Sequence, residues 1–155
     1  MTDEQRQRVW DDYFLEIANV VRTKSKDRST QIGAVIVGHD KQIVSTGFNG
    51  FPRGINEETQ LRWARPLKYQ FLVHAERNAI YNAARTGVSL ATCTLYVFGF
   101  DHPTVCSECA RAIIQSGITR VVGKGCKAIP ENWIDDMKFA SALLEEASVE
   151  FVGLS

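Results

Sequence analysis

The chain has 155 residues, 45% of them apolar, which suits one compact domain over residues 1–155 with a sizeable core. Its 18 basic and 18 acidic residues cancel, which favours a small substrate over a nucleic-acid partner, because proteins that follow a polynucleotide backbone usually carry a basic excess. No apolar run approaches the roughly 20 residues that span a bilayer, and the charged start Met1-Thr2-Asp3-Glu4-Gln5-Arg6 has no signal-peptide core, so a cytoplasmic location without membrane contact is expected.

Residues 3–24 read as a helix, with Val9, Tyr13, Phe14, Ile17, Val20 and Val21 at helical spacing. Residues 32–37 form an apolar run of strand length, 38–41 a turn, and 42–48 the returning strand of a hairpin. Residues 49–73 make a long segment of the kind that is often functional, interrupted by Gly50, Pro52 and Gly54. A helix is expected over 74–85 with Gly87 as its stop, then a strand over 92–98. A helix over 106–116 ends at Gly117, and a short strand covers 119–122. An amphipathic helix over 131–147 follows Pro130, and 149–152 is the last strand. Strands alternating with helices after an opening hairpin predict an α/β fold: a three-layer α/β/α sandwich around a mixed five-stranded sheet, its later strands mostly parallel.

The chemistry concentrates in His74-Ala75-Glu76 and Cys106-Ser107-Glu108-Cys109. In a reducing compartment a Cys-x-x-Cys pair with a distant His-x-Glu reads as metal chemistry rather than as disulfides. His74, Cys106 and Cys109 supply three zinc ligands, and three leave a fourth tetrahedral position for water, as in catalytic rather than structural sites. Both His74 and Cys106 fall at expected helix starts, whose positive ends favour thiolate over thiol. Glu76 diverges from His74 by about 200° on a helix, which suits a general acid/base beside the metal rather than a fourth ligand. A structural zinc site would need that fourth ligand from Cys93, Cys126, His102 or His39. Cys93 lies in an apolar strand and reads as a small core residue, and Cys126 as a spare thiol in a Gly-rich loop.

At these residues the chain resembles the zinc-dependent cytidine and deoxycytidylate deaminase superfamily, whose His-x-Glu and Cys-x-x-Cys signature is well defined. The resemblance to the deoxycytidylate (dCMP) deaminase branch extends through Ser25-Lys26-Asp27-Arg28-Ser29-Thr30-Gln31-Ile32-Gly33-Ala34-Val35, Thr46-Gly47-Phe48-Asn49-Gly50-Phe51-Pro52-Arg53-Gly54, Lys68-Tyr69, Arg77-Asn78-Ala79-Ile80 and the stretch from Cys109 to Ile118. It covers about residues 5–125. The final helix and strand match only in type. One departure stands out: Val105 occupies the place of the usual proline before the first cysteine, and Phe98-Gly99-Phe100-Asp101-His102 is expected to lengthen a loop that borders the base.

The resemblance implies hydrolytic deamination of dCMP to dUMP and ammonia, a source of dUMP for thymidylate. Glu76 would take a proton from water, protonate N3 as C4 is attacked, and then protonate the leaving amino group. Zn2+ is the implied cofactor, one per chain. Substrate contacts are expected at Lys26, Asn49 and Ala75, with Arg28 beside the phosphate. Two readings stand for each polar candidate. Lys24, Lys26 and Arg28 meet a phosphate or merely complement a helix C-terminus, and Asn49 meets the sugar or only forms an Asn-Gly turn. His102 touches substrate or is a solvated loop residue. Trp63 and Tyr69 pack the long segment down or stack on a base. The branch also implies dCTP and dTTP as effectors, with Mg2+, near Arg53, and a homo-oligomer, favouring a hexamer. Competing readings are a deaminase of another cytosine compound or a tRNA base, and a non-catalytic zinc-stabilised binding module.

Overall fold

The computed structural model describes residues 1–101 and 105–154. His102 therefore lies outside the described residues. Helix α1, Asp3–Arg22, opens on a capping box in which the Thr2 hydroxyl accepts from the Gln5 amide and the Gln5 side chain accepts from the Thr2 amide. The β1 (Gly33–Val37) and β2 (Ile43–Phe48) hairpin follows, then a short α2 (Lys68–Phe71) and α3 (Ala75–Thr86). The second half alternates: β3 (Thr94–Phe100), α4 (Ser107–Ser116), β4 (Arg120–Lys127), α5 (Ile134–Glu146) and β5 (Glu150–Gly153).

The strands form one sheet in the order β2-β1-β3-β4-β5. β1 pairs antiparallel with β2 and β3, whereas β3–β4 and β4–β5 are parallel, so the mixed sheet and its parallel half are as expected. Alternate residues of each strand face opposite layers. Val35, Val37, Tyr96, Phe98 and Val122 pack under α1 with Phe14, Leu15 and Ala18. Ala34, Ile36, Leu95, Val97 and Val121 pack against α3, α4 and α5. Among the described residues three layers result, with α1 on one face and α3, α4 and α5 on the other.

The buried face of α1 differs from the expected one. Val9, Tyr13 and Val20 are exposed, and the core side runs Asp11, Phe14, Leu15, Ala18. The spacing is helical, but a carboxylate occupies one core position. Arg120 admits it by donating two hydrogen bonds of 2.8 Å to the Asp11 carboxylate, with the Tyr96 hydroxyl as a third donor at 2.8 Å. A charge in the core stripe is invisible to an apolar pattern.

β3 and β4 are also longer than expected. Gly99 pairs with Gly125 and Phe100 with Lys127, so Phe98, Gly99 and Phe100 extend a strand instead of lengthening a loop. Gly123-Lys124-Gly125-Cys126 is likewise strand rather than loop. A Cβ on Gly125 would overlap the Phe100 backbone, so this close pairing requires glycine, and the glycines that suggested a loop are what allow the strand.

The segment before α3 carries a 3-10 turn over Gln60–Trp63 as well as α2. Trp63 stacks on Phe51 (ring centroids 4.2 Å apart), Phe71 stacks on the same ring at 5.1 Å, and the Trp63 indole donates to the Glu57 carbonyl. Trp63 thus packs the segment down. Gly47 lets α3 press onto β2, because a Cβ there would sit 2.6 Å from the Ala75 carbonyl oxygen. Together these contacts bring the start of α3 to the sheet edge where β2, β3 and β4 end and β1 begins.

Candidate metal and active site

His74 is the N-cap of α3 and Cys106 the N-cap of α4. The two helix N-termini converge, and the His74 Nδ1 lies 3.3 Å from Cys106 Sγ and 3.4 Å from Cys109 Sγ. A tetrahedral zinc with ordinary Zn–S and Zn–N bonds places such atoms about 3.6 Å apart, so these three side chains fit the ion. Among the described residues they are the one group whose ligand atoms all lie within 4.8 Å of one another. Cys93 is buried in the core away from this group and Cys126 is exposed.

The Cys106 sulfur accepts from the Cys109 amide at 3.4 Å. Hydrogen bonding from Cys109 and His74 outweighs burial and brings the Cys106 thiol down to about 4, well into the thiolate range. The Cys106 thiolate, burial and the Glu76 carboxylate together push Cys109 up. Arg77 stands beside this pair: burial works against its cation, and the Cys109 sulfur and Glu108, 3.2 Å away, hold it.

Glu76 follows His74 in the first turn of α3 and is 2% exposed, with Oε2 3.2 Å from Cys109 Sγ. Burial raises its pKa, and the Cys106 thiolate adds to this against the attraction of His74. A carboxyl held above its usual range is suited to gaining and releasing a proton near neutral pH.

A cavity opens onto these groups. Its walls include His74, Glu76 and Cys106 at the base, Trp133, Met137, Pro130 and Phe100 on one side, and Asn49, Thr30, Arg65, Lys68 and Tyr69 on the other. Trp133 meets the His74 ring edge-on, with centroids 6.2 Å apart. Asn49 thus reaches the cavity, and its amide is held firmly. Its Oδ1 accepts from the Ile32 amide at 2.9 Å, and its Nδ2 donates to the Thr30 carbonyl at 2.8 Å. The Asp27 carboxylate accepts from the Ser29 and Thr30 amides and pairs with Lys68.

The other expected contacts fall elsewhere. Lys26 is turned outward to Glu57 at 2.6 Å, which raises its pKa, and does not line this cavity. Arg28 lines an adjoining groove with Arg65 and Lys68. Arg53 sits in a separate groove and donates to Asn82. The Ala75 methyl is fully buried in the core. Arg65 was missed, although it reaches the cavity rim, donating to the Ser29 hydroxyl at 2.9 Å and to the Tyr69 hydroxyl at 2.8 Å. Nothing in its local sequence marks it. Trp133 and Met137 fall within the amphipathic helix expected over 131–147, and helical periodicity does not distinguish a core from a cavity wall.

Residues 8–124 match the cytidine and deoxycytidylate deaminase zinc-binding region, and the chain belongs to this family. Within it, the chain is 37% identical over 148 residues to a deoxycytidylate deaminase of Pongo abelii, covering 92% of this chain and 78% of that one. It is 40% identical over 119 residues to the human deoxycytidylate deaminase, covering 73% of this chain and 63% of the human one, so it spans less than two thirds of that relative. An uncharacterized deaminase of Aliivibrio fischeri is 37% identical over 149 residues, 94% and 93% of the two chains. The crystal structure of dCMP deaminase from the cyanophage S-TIM5 with dCMP and dUMP superposes with a TM-score of 0.72 over 97% of both chains at 21% identity, which shows the fold to be shared.

Proposed function

We propose that this chain is a zinc-dependent hydrolase that converts dCMP and water to dUMP and ammonia, as a single deaminase domain over residues 1–155. The observation that carries the reading is the buried Glu76 carboxyl, set beside the His74, Cys106 and Cys109 cluster at the base of an open cavity. A purely structural metal site has no need of that carboxyl. Zinc bound by the three side chains supplies a Lewis acid that makes water a nucleophile near neutral pH. Glu76 takes one proton from the attacking water and delivers it to N3, then takes the second from the hydroxyl now on C4 and passes it to the amino group, so that ammonia leaves as the C4–N bond breaks and the C4 carbonyl forms. Trp133 and Phe100 flank the base, and Asn49 faces the sugar.

The phosphate falls to Arg65 at the rim, in preference to Lys26, whose ammonium is engaged by Glu57. A bidentate guanidinium suits a phosphate dianion. The separate groove containing Arg53 and Arg85 suits a nucleotide effector such as dCTP or dTTP with Mg2+. A homo-oligomer in the cytoplasm completes the proposal.

The test is ammonia release by the zinc-loaded protein from dCMP, deoxycytidine, cytidine, cytosine and a tRNA anticodon stem. Clear preference for dCMP is expected. Preference for an unphosphorylated nucleoside would overturn the nucleotide assignment. If no substrate turned over and chelation unfolded the chain, a zinc-stabilised binding module would replace it.

A further inference from the structure

α5 lies beyond the residues that match the family, 8–124, yet it touches the site in two ways. Met137 in its first turn and Trp133 just before it form the cavity wall over His74. Between them, Asp136 reaches across to the start of α4. The Asp136 carboxylate accepts from the Ser107 amide at 2.9 Å and from the Ser107 hydroxyl at 2.6 Å. Ser107 follows Cys106 directly, so this fork fixes the backbone that carries one ligand and begins the turn that carries the other.

The arrangement has a physical purpose. The first amides of a helix have no partner within it. In α4 the N-cap side chain is the sulfur of Cys106, which accepts from the Cys109 amide at 3.4 Å. A sulfur is a weak acceptor for this task, and as a metal ligand it must also hold its place. Asp136 supplies the strong acceptor that the cysteine does not, from another helix, and its negative charge is favourable at the positive end of α4.

We infer that Asp136 is a positioning residue for the zinc site: its fork to Ser107 holds the Cys106–Cys109 turn in ligand geometry and ties that turn to the Trp133–Met137 wall. The inference rests on His74, Cys106 and Cys109 being the metal ligands.

Cobalt(II) substitution tests it, because the d–d and thiolate charge-transfer bands report ligand geometry without requiring turnover. Asp136→Ala is expected to shift these bands and to release metal to a chelator roughly tenfold faster or more, the usual scale for partners of metal ligands. Asp136→Asn retains an acceptor oxygen and is expected to restore most of the wild-type spectrum. Leu144→Ala, about two turns further along the same helix, fully buried and outside the cavity lining, provides the stability control and is expected to lower the melting temperature without shifting the bands. Wild-type bands and release rate in Asp136→Ala, or the same shift in Leu144→Ala, would overturn the inference. Failure of the wild-type protein to show any cobalt–thiolate band would overturn the ligand assignment itself, and this inference with it.

Discussion

Lys68 Nζ lies 2.7 Å from Asp27 Oδ2, and the two side chains are only 5% and 2% exposed. This buried ion pair joins the loop before β1, which carries Thr30, to α2, which carries Tyr69 and directly follows the turn holding Arg65. Removing one partner strands a charge in the interior, which typically costs roughly 3–5 kcal/mol. Lys68→Met is expected to lose about that much in chemical denaturation. The Asp27→Asn, Lys68→Met pair should lose less than the sum of the single changes, as a double-mutant cycle would reveal. Additive losses would mean that the contact carries no coupling.

Glu76→Gln keeps the shape of the side chain and removes its capacity to shuttle protons. The variant should bind zinc at wild-type stoichiometry, measured by elemental analysis, while kcat for dCMP falls by at least about 10²–10⁴-fold, the usual share of a general acid/base. Wild-type turnover would remove Glu76 from the mechanism.

Cys106→Ala should abolish stoichiometric zinc and turnover together, whereas Cys93→Ala should retain both and lose only packing energy. Cys93 is 4% exposed in the core, and the cavity left by its sulfur is expected to lower stability by about 1 kcal/mol. Zinc loss in Cys93→Ala would place that thiol in the metal site.

If Arg65 reads the phosphate, Arg65→Ala should raise KM for dCMP and leave deoxycytidine kinetics nearly unchanged. A hydrogen bond to a charged group is worth roughly 1.5–3 kcal/mol, which corresponds to a change of about 10- to 100-fold. An equal loss with both substrates would assign Arg65 to holding Ser29 and Tyr69 instead.

Acid stability should depend on Asp11. Burial opposes its charge, but Arg120, Gln7 and Tyr96 outweigh burial and lower its pKa below the ordinary 3.8. A carboxyl with a lower pKa in the folded state stabilises the fold at pH above its ordinary value, and that contribution is lost as pH falls through the folded value. The wild-type melting temperature should therefore drop steeply below about pH 4. Asp11→Asn should be less stable at neutral pH and show a flatter acid limb. A parallel acid limb in the two proteins would show that Asp11 does not contribute to it.

The sequence marked out most of the fold and the centre of the site for physical reasons that also limit it. Metal ligation and proton transfer demand particular atoms at particular spacings, so the proposed ligands His74, Cys106 and Cys109 and the proposed acid/base Glu76 stand out in the sequence. The hairpin and the alternating second half were legible because their cores are apolar and periodic. The α1 face was misread because Asp11 replaces an apolar residue there, and its partner Arg120 is over a hundred positions away. β4 was cut short because Gly123 and Gly125 signal loops locally, whereas the Phe100 backbone needs the bareness of Gly125. Arg65 and Asp136 act through contacts across the fold, which a linear pattern does not encode.

Asn49 has little left to offer a visitor. One lone pair of its carbonyl is taken by the Ile32 amide, and its amino group is directed to Thr30 and Asp27. The remaining carbonyl lone pair is an acceptor, so the group that docks against this side chain must bring its own hydrogen. A free hydroxyl satisfies that condition, and an ether at the same position does not.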